Sequence, residues 1–188
     1  MIKQRGQVVV DKILDTAERL FYAQGYNNTG INQVIDEADI AKASLYKHFE
    51  SKNDLMFAYL QRLHQRWFER LQMAIGKVEN PRDKLLAIFD YHRERQQIRE
   101  FGGCPFTKAS VEAGMCDTRI LHEVQQSKER LKGLIKQLVI NADHKNILTD
   151  TELIETIFLM AEGGIAMGSV FKNETDLQAA KKIIEKLI

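Results

Sequence analysis

The chain has almost no proline, two residues in 188, and no low-complexity segment, so long disordered linkers are not expected. Cysteine is as scarce. Cys104 and Cys116 stand twelve positions apart, which fits neither a CxxC redox pair nor a zinc-ligand set, and both are expected to be reduced. No uninterrupted apolar run reaches the roughly 18 to 20 residues that a membrane helix needs. The apolar stretch before Asp11 is too short for a signal peptide. The expectation is therefore a cytoplasmic chain with no membrane partner. A charge excess is lacking too. The formal net charge is +1, and the first 60 residues hold seven basic side chains against eight acidic ones. Bulk charge thus does not announce a nucleic-acid binder, and any such face has to arise from local segregation. Catalytic signatures are missing as well: there is no G-x-S-x-G, H-E-x-x-H, P-loop or G-x-G-x-x-G. The histidines His48, His64, His92, His122 and His144 have no metal-ligand spacing. Neither an enzyme nor a metal or cofactor site is expected.

What is present is helical periodicity. Hydrophobic residues make up 44% and charged residues 28%, which is ordinary for a globular chain of one large or two small domains. Val10, Ile13, Leu14, Ala17, Leu20 and Phe21 recur at three- and four-residue steps, and Gly25 follows as a C′ glycine. Ser51 with Asp54 makes a variant capping box, and Asn80-Pro81 places a cap before a proline at N1. Gly76 and the run FGGCP at residues 101–105 are breaks, and Asp117 opens a further helix. Residues 141–150 are polar and read as a loop before two last helices at 151–171 and 175–188. The pattern predicts an all-α protein of about nine helices without a sheet.

The most informative stretch is residues 29–52, TGINQVIDEADIAKASLYKHFESK. Thr29 or Gly30 can cap a first short helix, and a second begins near Ala41. Ile31, Val34, Ile35, Ala38, Ile40, Leu45 and Phe49 can form an inner set, with Ala38 small enough for two helices to cross closely. That is the pattern of a helix-turn-helix, whose second helix enters the DNA major groove. Lysine and histidine can reach phosphates or guanine edges, tyrosine and serine can bond phosphates, and alanine can meet a thymine methyl. Lys52 also sits at a helix start, where backbone N–H groups favour an anion. The residues expected at DNA are Thr29, Asn32, Lys42, Ala43, Ser44, Tyr46, Lys47, His48 and Lys52. Lys3 and Arg5 could add an arm to the minor groove or phosphates, or be a solvated terminus.

These residues resemble the DNA-binding domain of the tetracycline-repressor family of bacterial transcriptional regulators. The likeness rests on Gly25-Tyr26, Thr29, the run Leu45-Tyr46-Lys47-His48-Phe49, Lys52, and Asp54-Leu55. Two positions depart from the family pattern. Asp39 stands where the turn usually has glycine, and aspartate tolerates left-handed geometry better than most residues. Ala41 stands where the recognition helix usually has a Ser or Thr cap, a loss of about 1 kcal/mol that Asp39 or Ser44 could offset. The resemblance implies a helix-turn-helix domain at 7–67, with its motif at 30–49, and a ligand-binding and dimerisation domain at 68–188. It implies a homodimer that binds a palindromic operator in double-stranded DNA and is released by a small apolar or aromatic inducer.

The second half supports those roles in general terms. The helix at 151–171 is apolar on more than one side, and Gly164 and Gly168 stand one turn apart, so another helix can come close. With the helix at 175–188 it is expected to form a four-helix dimer interface. A pocket would draw on Trp67, Leu71, Phe89, His92, Phe106, Met115, Phe158 and Met160, with Tyr91 and Val111; residues of these types are more often plain core than ligand contacts. Cys104 precedes Pro105 at a helix start, where the positive helix end favours a thiolate. It is either a reactive thiol that senses electrophiles or oxidants, or a small packed residue in a glycine loop.

Overall fold

The computed structural model describes residues 2–115, 117–145 and 147–188, and the side chains of all of these except residues 2–5. The expectations placed on the side chains of Lys3 and Arg5 and on Cys116 lie outside the described residues. Among those residues there are nine helices and no strand: α1 (Ile2–Gln24), α2 (Ile31–Glu37), α3 (Lys42–His48), α4 (Lys52–Ile75), α5 (Pro81–Ile98), α6 (Pro105–Glu112), α7 (Thr118–Asn141), α8 (Asp150–Phe171) and α9 (Thr175–Leu187).

The helix ends follow the local chemistry. Gly25 ends α1 at φ +86°, a left-handed geometry that glycine takes without strain. The Ser51 hydroxyl accepts from Asp54 N–H at 3.1 Å and donates to the Asp54 carboxylate at 2.7 Å, which caps α4. Asn80 Oδ1 accepts from Arg82 N–H at 2.8 Å before Pro81, and Asp117 Oδ1 accepts from Arg119 N–H at 3.0 Å at the head of α7. A full capping box links Thr149 and Glu152 at the head of α8.

The chain forms two compact units. Unit 1 holds residues 1–65 and 105–125, and unit 2 holds residues 66–104 and 126–188. The division expected at 67/68 runs along the chain, whereas these units interleave. Helix α6 and the start of α7 pack with the N-terminal helices, because Phe106, Ala109, Ala113 and Ile120 are buried there.

The core of unit 1 is built on α1, where Ile13 and Ala17 are fully buried. Helices α2 and α3 pack on α1 and on each other through Val34, Ile35, Ala38 and Leu45. Leu55, Tyr59 and Leu60 of α4 add to this core. Each such large apolar side chain contributes about 1.5–3 kcal/mol by leaving water. Arg62 of α4 is held by three acids of α1, with Asp15 at 2.8 Å, Glu18 at 3.7 Å and Asp11 at 3.9 Å.

In unit 2 the core joins Leu71 and Ile75 of α4, Leu85, Ile88 and Phe89 of α5, Leu131 and Ile135 of α7, Ile157 and Ala161 of α8, and Ile184 of α9. Helix α8 packs on α9 and on α5. The close approach expected at Gly164 and Gly168 is made by this chain's own residues. A Cβ on Gly164 would lie 2.8 Å from Leu177 Cδ2, and one on Gly168 would lie 3.0 Å from the Asn173 carbonyl oxygen. The expectation that no apolar stretch could span a membrane needs correction. By length and composition alone α8 could do so, since Glu155 and Glu162 interrupt the apolar run of its last 18 residues without lowering the mean hydropathy enough. It serves here as a core helix with one face buried and another exposed.

Candidate nucleic-acid interface

The turn between α2 and α3 works because Asp39 adopts φ +48°, the left-handed conformation expected of it. Its carboxylate lies 3.5 Å from Lys12 Nζ of α1. Ala41 is the N-cap of α3, with extended φ/ψ and no side-chain cap bond. Neither Asp39 nor Ser44 replaces the missing cap.

Burial then sorts the expected DNA contacts. Leu45 and Phe49 face inward, while Lys42, Ala43, Tyr46, Lys47 and His48 are exposed, Ser44 and Lys52 are half-buried, and Asn32 is exposed on α2. Thr29 is the exception. It is fully buried, and its hydroxyl donates to the Gly25 carbonyl at 2.6 Å. It fastens the entry to α2 and does not reach the exposed face, because the polar group is needed to satisfy the end of α1.

The charge segregation that the sequence required is present. Of the eight acidic residues among the first 60, six face a cation: Asp11, Asp15 and Glu18 at Arg62, Glu37 at Arg19, Asp39 at Lys12, and Asp54 at Arg119. The Glu37 carboxyl is held below its ordinary range by its bonds to Arg19 and Gln33. The Asp54 carboxyl is held below its own by Ser51 and then Arg119. Lys42, Lys47 and His48 form no ion pair among the described residues, so α3 carries the unmatched positive charge of the segment. Lys42 Nζ lies 5.9 Å from the Tyr46 ring centre.

The expected pocket residues are divided between the two units. Trp67, Leu71, Phe89, His92, Phe158 and Met160 belong to unit 2, and Phe106 and Met115 to unit 1. Met115 is 95% exposed in the turn after α6 and lines nothing; Val111 is exposed as well. Val111 lies on the solvent side of α6, opposite the buried Phe106 and Ala109. Phe106 meets the His64 ring at 6.1 Å, and His64 in turn bonds Glu123 at 2.8 Å. Leu71 and Phe89 are closed core residues, whereas Phe158 and Met160 are half-buried.

A polar cluster does lie within unit 2. His92 stacks on Trp67 with ring centres 6.2 Å apart, and burial, then the charge of Lys128, pushes its imidazole down to about 3. Its Nε2 has no hydrogen-bond partner among the described residues. Cys104 is half-buried, with Lys128 Nζ 3.3 Å from its sulfur and 2.5 Å from Glu162 Oε2. Burial works to lower the Lys128 pKa, but Cys104 and Glu162 hold it above its ordinary value. The sequence reading missed Lys128 and Glu162. The available signal was Glu162, a charge set within the long apolar pattern of α8.

Two family descriptions match most of the chain: "Bacterial regulatory proteins, tetR family" over residues 13–59, and "Tetracyclin repressor-like, C-terminal domain" over residues 81–184. The HTH-type transcriptional repressor NemR of Escherichia coli is 28% identical over 146 residues, covering 74% of this chain and 71% of that protein. The HTH-type transcriptional regulator LmrA of Bacillus subtilis is 23% identical over 180 residues, covering 95% of both. Other relatives match over less of their length. An uncharacterized HTH-type regulator of Lactococcus lactis is matched over 60% of its chain, and one of Mycobacterium tuberculosis over 41%. The crystal structure of reduced E. coli NemR has the same fold, with a TM-score of 0.81 at 20% identity, covering 96% of this chain and 97% of that one. A TetR regulator from Chloroflexus aurantiacus gives 0.84 at 22% identity, covering 97% and 95%. The fold, the helix-turn-helix and the two matched regions together make this chain a member of the tetR family of DNA-binding transcriptional regulators.

Proposed function

We propose that the chain acts in the cytoplasm as a homodimeric repressor that reads a palindromic operator with α3 and leaves it when a small apolar or aromatic inducer binds unit 2. The observation that carries the DNA half is the exposed row Lys42, Ala43, Tyr46, Lys47 and His48, in which neither lysine forms an ion pair among the described residues. The observation behind the dimer is the exposed apolar face of α8, with Leu159, Val170 and Phe171 each more than 60% exposed, continued by Ile183 of α9. Two α3 helices about 34 Å apart would enter successive major grooves on one side of the duplex. An inducer that favours a different separation depopulates the bound state. Selection of duplexes from a random pool by the purified chain, followed by footprinting, is the direct test. An inverted repeat is expected, and failure to enrich any sequence would end this reading. Replacing Lys47 by Ala should weaken binding across sequences and lower the salt slope by about one counterion.

A second reading has its own support. The ammonium of Lys128 beside the sulfur of Cys104 is the kind of positively charged setting in which a thiol reacts with electrophiles. The chain would then respond to an electrophile or oxidant through Cys104 on the same DNA-binding scaffold. Alkylation of the native protein with a thiol reagent, compared with a Cys104→Ser variant, tests this. Modification of Cys104 that leaves operator affinity unchanged would exclude it.

A further inference from the structure

Glu112, the last residue of α6, is an acid of unit 1 aimed at the entry to the helix-turn-helix. Its Oε2 accepts the Asn27 N–H at 3.0 Å. A Cβ on Gly25 would fall 2.8 and 3.0 Å from its two carboxylate oxygens, so the carboxylate lies against the left-handed end of α1. Lys108, one turn earlier on α6, is engaged elsewhere: it donates to the Tyr22 carbonyl at 2.7 Å and lies 5.0 Å from the Tyr22 ring centre. Glu112 thus meets the chain on both sides of Tyr26, at Gly25 and Asn27, and the Tyr26 ring holds Lys52, the first residue of α4. Its Nζ sits 4.0 Å from the centre of the Tyr26 ring, next to Gly25. Burial lowers the Lys52 pKa, and the Glu112 charge works against that lowering. Tyr26 is itself fixed, since its hydroxyl bonds the Asn53 side chain.

A phosphate bound at the head of α4 and the carboxylate of Glu112 have the same sign and want the same ammonium. We infer that Glu112 is an internal competitor for Lys52: in the DNA-free chain the carboxylate and the Tyr26 ring draw the ammonium inward, and DNA must win it back. Glu112 is thus an affinity-setting residue on α6 that touches no DNA itself. This rests on the reading of Lys52 as a phosphate contact. Lys52 is only half-buried, so solvent screens the attraction. The competition is on the scale of a surface ion pair, about two- to five-fold in binding.

The test uses the full chain and a short labelled duplex at low salt, with Glu112→Gln, Lys52→Ala and the double variant. Gln keeps an oxygen for the Asn27 N–H and removes the charge. E112Q should bind DNA about two- to five-fold more tightly, the gain should shrink as salt rises, and it should vanish in the K52A background. An unchanged or weakened affinity, or a gain that persists without Lys52, overturns the assignment of Glu112. K52A alone should weaken binding and lower the salt slope by about one. A silent K52A would remove the phosphate role of Lys52, and this proposal with it, which separates the two failures. Should E112Q not fold, Glu112→Asp withdraws the same charge by one methylene and should give a smaller gain with the same dependence on Lys52.

Discussion

At the scale of single residues, the reading head contains an uncompensated defect and unit 2 contains a buried histidine whose charge is suppressed. Ala41 has the extended geometry of an N-cap but no side chain to cap with, so the first N–H groups of α3 depend on water or DNA. Ala41→Ser supplies an acceptor where the backbone already suits one. It should raise stability by about 1 kcal/mol, read as a shift in the urea midpoint at unchanged slope. No shift would mean that α3 is held entirely by Leu45 and Phe49. His92 makes the fold sensitive to acid. Its folded pKa is near 3 and its unfolded value about 6.5, so between these the unfolded chain binds the extra proton. Its contribution is fully present above pH 6.5 and is lost as pH falls toward 3, at up to about 1.4 kcal/mol per pH unit. His92→Phe keeps a flat ring against Trp67 and removes the titration. The slope of stability against pH between 6 and 4 should drop by up to one proton, and equal slopes in both proteins would refute the assignment.

Among elements, the glycines of α8 show what a sequence pattern can and cannot specify. Gly164 signals a close approach but does not name the partner, which is Leu177 of α9. Gly164→Ala places a methyl 2.8 Å from Leu177 Cδ2 and 3.1 Å from its Cα, where backbone as well as side chain must yield. Overpacking of this kind should cost about 1–3 kcal/mol, measured by thermal or urea unfolding; a neutral variant would show that α9 can slide. The helices themselves were legible because their ends carry local chemistry: Gly25, Ser51, Asn80-Pro81 and Asp117 each act within four residues. The outward face of α3 was legible for a different reason, since the spacing of the buried Leu45 and Phe49 fixes which side chains point outward. The placement of residues 105–125 was not legible, because it depends on Phe106, Ala109, Ala113 and Ile120 meeting helices far away in sequence. Glu112 and Lys128 were missed on the same grounds: their partners lie 85 and 34 positions away, at Asn27 and Glu162. Thr29 was misassigned because a threonine before a helix suggests either a cap or a contact, and its burial is a tertiary fact.

For the whole molecule, operator binding and assembly are one problem. A single α3 of seven residues offers a small contact surface, and each phosphate contact is weakened by salt. Linking two such helices makes the second half-site an intramolecular encounter, which raises apparent affinity by about 10²–10⁴ without any new contact. The exposed band Leu159, Val170, Phe171 and Ile183 is apolar surface that a monomer would leave in water. It lies on α8 and α9, whereas the residues proposed to read DNA belong to α3, so it can be altered without substituting them. The double variant Leu159→Glu, Phe171→Glu puts charges where the partner's apolar face would bind, but both positions are about 62% exposed in the single chain, so the fold should survive. The expected outcome is a monomer by sedimentation with wild-type helicity and operator affinity reduced by about a hundredfold or more. Binding to an isolated half-site should change little. A variant that remains dimeric would move the interface off this face, and a monomer with undiminished operator affinity would show that DNA reading in this chain does not depend on pairing.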